Sequence, residues 1–203
     1  MNCLVVGPGL DMHQPQEYVR TYQPYELANC IRRAKVIDYQ ILVVDNNYKI
    51  LKEVRRSPAI LKIRLNFELD KLSQNPEKKK RHFNTFFTDI SNTCSEKEVE
   101  IPANVTNKIR SSYCDIITDE IPENFYDIVI CTTLLTHYDP DVTHEYSRDP
   151  TLSIVDKLAK SIKTGGFFIT SESCPDGFKF LEDDSNFTDS LHITSASLFE
   201  KQS

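Results

Sequence analysis

Residues 3–34 have the sequence CLVVGPGLDMHQPQEYVRTYQPYELANCIRRA, and this stretch decides the expected fold. It opens with an apolar run, turns at the tripeptide GPG (7–9), and ends in a segment where Leu27 and Ile31 recur at helical spacing. A continuous apolar run that ends at glycine is typical of a parallel strand buried on both faces. The stretch therefore predicts a strand, a tight turn and a helix, which together form the first part of a β-α-β unit.

The same alternation of strands and helices continues along the chain. Further strands are predicted at YQILVVD (39–45), IRSSYCDI (109–116), YDIVICTTLL (126–135) and GFFITSE (166–172). Helices are predicted at NNYKILKEVRR (46–56), capped by Asn46 or Asn47, and at DPTLSIVDKLAKSIK (149–163), ended by Thr164-Gly165-Gly166. The tail at 177–202 predicts two strands around a polar turn. This order favours an α/β fold with a doubly wound, mostly parallel sheet and helices on both of its faces.

The pattern is less regular between about residues 57 and 106. AILKIRLNFELDKL (59–72) fits either a strand or a helix, and PEKKKRHFNTFFTDI (76–90) predicts a helix. A chain of 203 residues with 39% hydrophobic content is long enough for one well-buried core. We therefore predict a single domain over residues 1–203. Its segment 57–106 is a variable insertion, either for substrate recognition or as peripheral helices.

Charge and composition exclude several classes of protein. The formal net charge is −6 and charged residues make up 27% of the chain, which argues against a nucleic-acid binder and against disorder. No apolar stretch approaches the roughly 20 residues that span a bilayer, and the start MNCLVVGPG lacks the features of a signal peptide. The six cysteines include no CxxC pair, so neither a metal site nor a redox motif is indicated. We expect free thiols, a cytoplasmic location, and no membrane or nucleic-acid partner.

In a doubly wound sheet, ligands bind beyond the carboxyl ends of the strands, so the residues that follow each strand are the candidates. The GPG turn lets the backbone approach a ligand closely, because glycine has no β-carbon. Asp45 ends a strand where a carboxylate can accept hydrogen bonds from both ribose hydroxyls, with helix capping as the alternative. Asp115 is placed to accept from an adenine amino group, with helix capping or a turn as its alternative role. Thr132 and Thr133 follow the strand YDIVIC.

Together these segments resemble the class I, Rossmann-like S-adenosylmethionine-dependent methyltransferases. VVGPGLD (5–11) resembles the glycine loop of that family, ILVVDNN (41–47) its ribose-binding strand end, and SSYCDI (111–116) its adenine-side acidic position. The most specific matches are YDIVICTTLLTH (126–137) and LAKSIKTGGFFI (158–169). The resemblance covers most of the chain outside 57–106. It implies a seven-stranded sheet with an antiparallel C-terminal hairpin, S-adenosylmethionine as the cofactor, and methyl transfer as the reaction.

The resemblance assigns the cofactor contacts to Gly7, Pro8, Gly9, Asp45, Asn46, Asp115, Ile116, Thr132 and Thr133. The glycine loop would lie against the methionine part of the cofactor, and Asp45 would hold the ribose. Asp115 and Ile116 would flank the adenine. Thr132 and Thr133 would line the sulfonium side.

The turn also argues against a nicotinamide cofactor. A pyrophosphate site has the pattern G-x-G-x-x-G with a helix that starts at once, whereas Met12 stands at the third glycine position and the helix starts near Pro24. We interpret the intervening segment 10–24 as a cover over the site, in which Tyr18 and Tyr22 contact the substrate. The alternative is a surface loop whose tyrosines pack on the domain.

The sequence says less about the chemistry. His137 is the candidate base for the proton of the methyl acceptor, and a structural hydrogen bond is its alternative role. TTLL (132–135) stands where enzymes that methylate amino groups of nucleic acids carry [DNS]-PP-[YFW], so the expected acceptor is a small molecule or a protein side chain. Cys3 stands where the family commonly has an acid. Asp11 stands where the family often has a further glycine. These departures in the glycine loop support the alternative function, a catalytically inactive binding or scaffold protein with the methyltransferase fold.

Overall fold

The computed structural model describes residues 1–8, 11–14, 17–19, 23–55, 60–64, 88–89, 96–132, 134, 151–171, 186–193 and 196–202. The strands are β1 (Asn2–Val6), β2 (Asp11–Gln14), β3 (Glu17–Val19), β4 (Gln40–Asp45), β5 (Ile60–Arg64), β6 (Thr88–Asp89), β7 (Glu96–Glu100), β8 (Ile109–Tyr113), β9 (Tyr126–Cys131), β10 (Ile162–Ser171), β11 (Phe187–Ile193) and β12 (Ala196–Lys201). The helices are α1 (Gln23–Arg33), α2 (Tyr48–Arg55), α3 (Ala103–Thr106) and α4 (Thr151–Ser161).

Seven of these strands form one sheet in the order β11-β12-β10-β9-β1-β4-β8. β1 pairs in parallel with both β4 and β9, and the pairs β4/β8 and β9/β10 are parallel as well. β12 runs in the opposite direction, since it pairs antiparallel with both β10 and β11. The mostly parallel, seven-stranded sheet with an antiparallel C-terminal hairpin is therefore confirmed.

The sequence of β1 explains why helices cover both faces of this sheet. Successive side chains of a strand point to opposite faces, and every residue from Cys3 to Val6 is buried. Leu4 and Val6 pack in one core cluster with Leu158 of α4. Cys3 and Val5 pack in a second cluster that includes residues of α1, α2 and α3. The two clusters confirm the predicted helices on both faces. An apolar strand of this kind needs such a cover on each side.

Two helices have ends that can be explained from local bonds. α2 begins after Asn47, whose side-chain Oδ1 accepts a hydrogen bond from the backbone N–H of Lys49 (2.9 Å), so the predicted asparagine cap is confirmed. α4 ends at Ser161, earlier than the predicted stop at residues 164–166. Gly165 does adopt a left-handed φ of 73°, but it does so within the irregular first half of β10. Among the described residues, no helix is both long enough and apolar enough to cross a bilayer.

The segment 57–106 contains a second, separate sheet. β5, β7 and β6 pair antiparallel in that spatial order. The helix predicted over 76–90 is wrong at Thr88–Asp89, which form β6, and its other residues lie outside the described ranges. Ile101 and Val105 are buried in the same core cluster as β1. The end of the predicted insertion thus packs as part of the main fold.

The segment 10–24 also contains strands. β2 and β3 pair antiparallel, with Asp11 opposite Val19 and Gln14 opposite Glu17. This hairpin was not predicted, because its sequence lacks the alternation of apolar and polar residues that marks a half-buried strand. α1 then begins at Gln23.

Candidate functional site

The strand order of the main sheet reverses at β1. The chain passes from β1 to its neighbour β4 and on to β8, and then returns to β9 on the other side of β1. Because β1, β4, β8 and β9 are parallel, their carboxyl ends lie along one edge of the sheet. Ligands of open α/β sheets bind in the crevice at such a reversal point.

A narrow pocket lies at this edge. Its lining comes from the ends of all four strands and consists of Val6, Gly7, Val44, Asp45, Asn46, Cys114, Ile116 and Leu134. The enclosed volume is about 10 Å³, which is room for about one water molecule. Four of the predicted cofactor residues therefore share one pocket, namely Gly7, Asp45, Asn46 and Ile116.

Gly7 forms the floor of this pocket at the end of β1. Its φ is +53°, a left-handed conformation that favours glycine, and its N–H donates to the carbonyl oxygen of Val44 (2.9 Å). A β-carbon at this position would lie 2.7 Å from Cβ of Leu134. The absence of a β-carbon on Gly7 thus leaves room for a close neighbour, and in this structure that neighbour is the side chain of Leu134. The predicted approach of the turn to a ligand stays a prediction.

Asp45 ends β4 beside Gly7. Its Oδ1 accepts a hydrogen bond from the backbone N–H of Asn47 (2.7 Å), so the carboxylate also holds the turn that leads into α2. Burial raises the pKa of Asp45 above its usual value, and the N–H groups of Asn47 and Asn46 act in the opposite direction. A half-buried carboxylate in such a pocket is a strong acceptor for ligand hydroxyl groups.

Ile116 and Asp115 follow β8 but lie in different surroundings. Ile116 is buried and lines the pocket, which makes it an apolar wall. Asp115 is absent from the lining, and its Oδ1 accepts from the backbone N–H of Ile117 (3.0 Å). Its own N–H donates to the carboxylate of Asp119 (2.8 Å). The turn that the sequence allowed as an alternative role for Asp115 is therefore present.

Lys157 of α4 ties this turn to the body of the domain. Its Nζ donates to three backbone carbonyl oxygens, those of Ile116 (2.7 Å), Ile117 (3.1 Å) and Asp119 (2.8 Å). Sequence reasoning missed this residue, because a lysine on an amphipathic helix carries no signal for a distant carbonyl cluster.

Thr132 lies beside the start of α1. Its hydroxyl accepts a hydrogen bond from Nε2 of Gln23, and it is absent from the pocket lining. Oε1 of Gln23 is buried and has no hydrogen-bond partner within the described part of the chain. The amide of Gln23 therefore retains an unused hydrogen-bonding group near the end of β9.

The remaining predicted residues cannot be placed in the pocket. Pro8 is described and buried but does not line it. Gly9, Thr133, Tyr22 and His137 lie outside the described residues.

Tyr18 belongs to β3, where the structure describes the backbone.

The described residues hold no cluster of three or more histidine, cysteine or acidic side chains that could bind a metal ion. Cys3, Cys30, Cys114 and Cys131 form no disulfide bond within the described part of the chain.

Comparison with known proteins gives matches in structure alone. No protein-family model and no curated protein matches the sequence. A TehB-like methyltransferase from Corynebacterium glutamicum has a TM-score of 0.47 and 9% identity, over 99% of this chain and 80% of the other. The N-methyltransferase NodS from Bradyrhizobium japonicum, in complex with S-adenosylhomocysteine, has a TM-score of 0.46 and 11% identity, over 98% and 77%. A methyltransferase from Mesorhizobium loti has a TM-score of 0.36 and 12% identity, over 84% and 45%, so this chain spans less than half of that protein.

The sheet itself decides the fold. Its order, its parallel centre and its one reversed strand next to the C-terminal edge are the arrangement that the sequence resemblance implies. The chain has the class I methyltransferase fold. Within that fold, the pocket at Gly7 and Asp45 occupies the crevice where ligands of such sheets bind.

Proposed function

We propose that the protein transfers a methyl group from S-adenosylmethionine to a small molecule or a protein side chain. The observation that carries the proposal is the convergence of Gly7, Asp45 and Ile116, from three neighbouring strands, on one pocket. A close backbone approach, an acceptor for hydroxyl groups and an apolar wall are the three elements that an adenosyl group with a methionine tail requires.

The residues present fit this cofactor better than they fit a dinucleotide. Gly7 has the positive φ of a turn that brings backbone close to a ligand, but α1 begins only at Gln23. No helix N-terminus in the described ranges therefore follows the turn directly to meet a pyrophosphate. The buried Oε1 of Gln23 supplies a polar group that a charged amino acid tail could use.

The remaining roles complete the proposal. Asp45 holds the ribose, and Asn46 and Ile116 lie beside the adenine. Asp115 stabilises the turn that follows β8 and so positions the residues at the edge of the adenine. Pro8 and Gly9 continue the glycine loop, and Thr132 and Thr133 line the sulfonium side. Tyr18 and Tyr22 contact the substrate, and His137 accepts the proton of the methyl acceptor.

Bound S-adenosylmethionine supplies an activated methyl group, and the protein contributes mainly position. Asp45 fixes the ribose by accepting hydrogen bonds from its hydroxyl groups. Ile116 excludes water from the adenine face, since its side chain is 3% exposed. Lys157 keeps the wall formed by Ile116 in place through its bonds to the turn.

Thermal denaturation with S-adenosylmethionine, S-adenosylhomocysteine and NAD tests the proposal. A ligand at about 100 times its Kd stabilises the native state by about 2.7 kcal/mol, so the first two should raise Tm and NAD should not. Asp45→Ala should abolish the shift. Asp38→Ala is the matched control, because Asp38 is an exposed aspartate just before the other end of the same strand. Equal shifts in both variants would remove Asp45 from the site.

One observation favours the alternative, a catalytically inactive binding or scaffold protein with this fold. Cβ of Leu134 lies 2.7 Å from the position of a β-carbon on Gly7, and the pocket encloses about 10 Å³. The adenosyl group can enter only if Leu134 moves. Absence of a Tm shift with all three ligands, in wild type and in Leu134→Ala, would support the inactive alternative.

A further inference from the structure

Leu134 occupies the space over Gly7 that a bound ligand needs. A β-carbon on Gly7 would lie 2.7 Å from Cβ, 2.9 Å from Cδ1 and 3.0 Å from Cγ of Leu134. Non-bonded carbon atoms attract one another best at about 3.5–4.0 Å, so no ligand atom fits between the glycine and the leucine. The same space therefore holds either the side chain of Leu134 or a ligand.

The leucine also closes the pocket. Leu134 lines it together with Asp45, Cys114 and Ile116, and the enclosed volume is about 10 Å³. A small-molecule site usually has a volume of roughly 300 Å³ or more. The side chain is partly buried and packs on the core cluster that includes Val6. Leu134 is therefore an apolar plug that is held in place by the core.

Both strand ends at this contact are fixed by hydrogen bonds. The N–H of Gly7 donates to the carbonyl oxygen of Val44 (2.9 Å), which holds the end of β1. The carbonyl oxygen of Cys131 accepts from the buried hydroxyl group of Thr170 (3.1 Å), which holds the end of β9. A ligand that enters must therefore displace Leu134 and not the strand ends around it.

The thiol of Cys114 is a second observation on the closed pocket. Cys114 lines the pocket, and burial raises the pKa of its thiol above the usual value, with Asp119 acting in the same direction. A thiol in an open, water-filled crevice would not be desolvated in this way. The reactivity of Cys114 therefore reports whether the pocket is open, and it does so without a ligand.

We propose that Leu134 is an autoinhibitory plug, so that S-adenosylmethionine binds only to a minor state in which Leu134 has left Gly7. The identity of the ligand rests on the proposed function. When only a fraction of the molecules can bind, the apparent Kd rises by the inverse of that fraction. An open state of about 1–10% of the population therefore weakens cofactor binding by about 10- to 100-fold.

Iodoacetamide labelling of Cys114 at pH 8, followed by peptide mapping, tests the plug without any ligand. Leu134→Gly removes every side-chain atom that covers the pocket, so Cys114 should react roughly 10-fold faster than in wild type, or more. Leu134→Ala keeps the Cβ atom and should give a smaller increase. It also keeps the test available if Leu134→Gly does not fold.

Leu42→Ala is the matched control. Leu42 is a partly buried leucine that packs on the same core cluster as Leu134, but it does not line the pocket. Its truncation loosens the core without opening the crevice, so the labelling rate of Cys114 should stay as in wild type. The exposed Cys30 is the internal reference in every variant.

Titration calorimetry with S-adenosylhomocysteine tests the competition between plug and ligand. Leu134→Gly should bind roughly 10-fold more tightly than wild type, or more, although it has lost a side chain of the pocket. Leu134→Ala should again lie between the two, and Leu42→Ala should bind as wild type does.

The two measurements separate the plug from the proposed function. Faster labelling of Cys114 without binding of S-adenosylhomocysteine to any variant would uphold the closed pocket and refute the cofactor. An equal labelling rate of Cys114 in wild type and in both Leu134 variants would overturn the plug, whatever binds. Faster labelling with equal or weaker binding in the Leu134 variants would overturn it as well, because Leu134 would then not compete with the ligand.

Discussion

Replacing Gly7 by alanine should lower the free energy of unfolding more than the same change at a glycine that has a similar φ but open space around it. Two costs combine at this position. The φ of +53° is unfavourable for alanine by about 1–2 kcal/mol. The new β-carbon would also lie 2.7 Å from Cβ of Leu134, and overpacking of this kind costs about 1–3 kcal/mol. Since a Cβ atom cannot move away without its backbone, we expect a total loss of about 2–5 kcal/mol.

Gly165 is the matched control for this measurement. Its φ is +73°, and a β-carbon there would meet nothing within 4 Å. Gly165→Ala should therefore cost only the conformational part, about 1–2 kcal/mol. Adding Leu134→Gly, which removes the clashing Cβ atom as well, to Gly7→Ala should recover the steric part of the loss, beyond the effect of Leu134→Gly alone.

Urea denaturation gives the free energy of unfolding of each variant from its midpoint and slope. Equal losses for Gly7→Ala and Gly165→Ala would refute the reasoning. So would a loss at Gly7 that is the same with and without the side chain of Leu134. Either result would mean that Leu134 does not pack on the glycine turn, and the pocket geometry would need another description.

Three further predictions concern charge and reactivity. Lys157→Met should destabilise the protein by about 1–3 kcal/mol in urea denaturation, because three carbonyl oxygens lose their donor, and Lys157→Arg should recover part of that loss. Burial raises the pKa of Asp45, so the folded state binds its proton more tightly than the unfolded state does, and the ionised carboxylate opposes folding. Asp45→Asn should therefore be more stable than wild type at pH 7, and this advantage should disappear as the pH falls below about 4; an advantage that is constant with pH would contradict the cause. Burial, with Asp127 nearby, raises the pKa of Cys3 to about 12, so in peptide mapping after iodoacetamide at pH 8 the exposed Cys30 should be labelled long before Cys3.

The main sheet could be predicted from the sequence because its central strands are continuous apolar runs. β1 and β9 are buried by helices on both faces, and such runs leave little choice of structure. The sequence predicts the end of α4 three residues or more too late, because a glycine such as Gly165 is typical of a helix stop, whereas the helix ends at Ser161. The structure uses that glycine in the bulged start of β10 instead. A left-handed glycine is required in both cases, and the sequence alone does not distinguish them.

The two small sheets could not be predicted from local pattern. β6, at Thr88–Asp89, has only two residues. Its partner β7 pairs on the other side with β5, which lies much earlier in the chain. Short strands in polar segments depend on their partners more than on their own propensity. The helix predicted over 76–90 is wrong at Thr88–Asp89, because helix propensity is a weak guide that pairing with another strand overrides.

The sequence predicts those residues of the candidate site whose type suits a ligand and whose position is at the carboxyl end of a predicted strand. Gly7 and Asp45 have residue types that suit a ligand site at the carboxyl ends of parallel strands, and both line the pocket. Cys114 and Leu134 line it too, but apolar side chains look the same in a sequence whether they face a core or a ligand. Asp115 has a residue type and a position that suit an adenine contact, and its carboxylate also holds a local turn, so its contact with adenine stays a prediction.

The central claim is that the carboxyl ends of β1, β4 and β8 form an adenosyl site. A crystal structure grown with S-adenosylhomocysteine measures this directly. We predict electron density for the ribose within hydrogen-bond distance of the carboxylate of Asp45, the adenine against Ile116, and the side chain of Leu134 displaced from Gly7. Density for the ligand at another edge of the sheet, or an empty crevice with Leu134 still on Gly7 at saturating ligand, would contradict the claim.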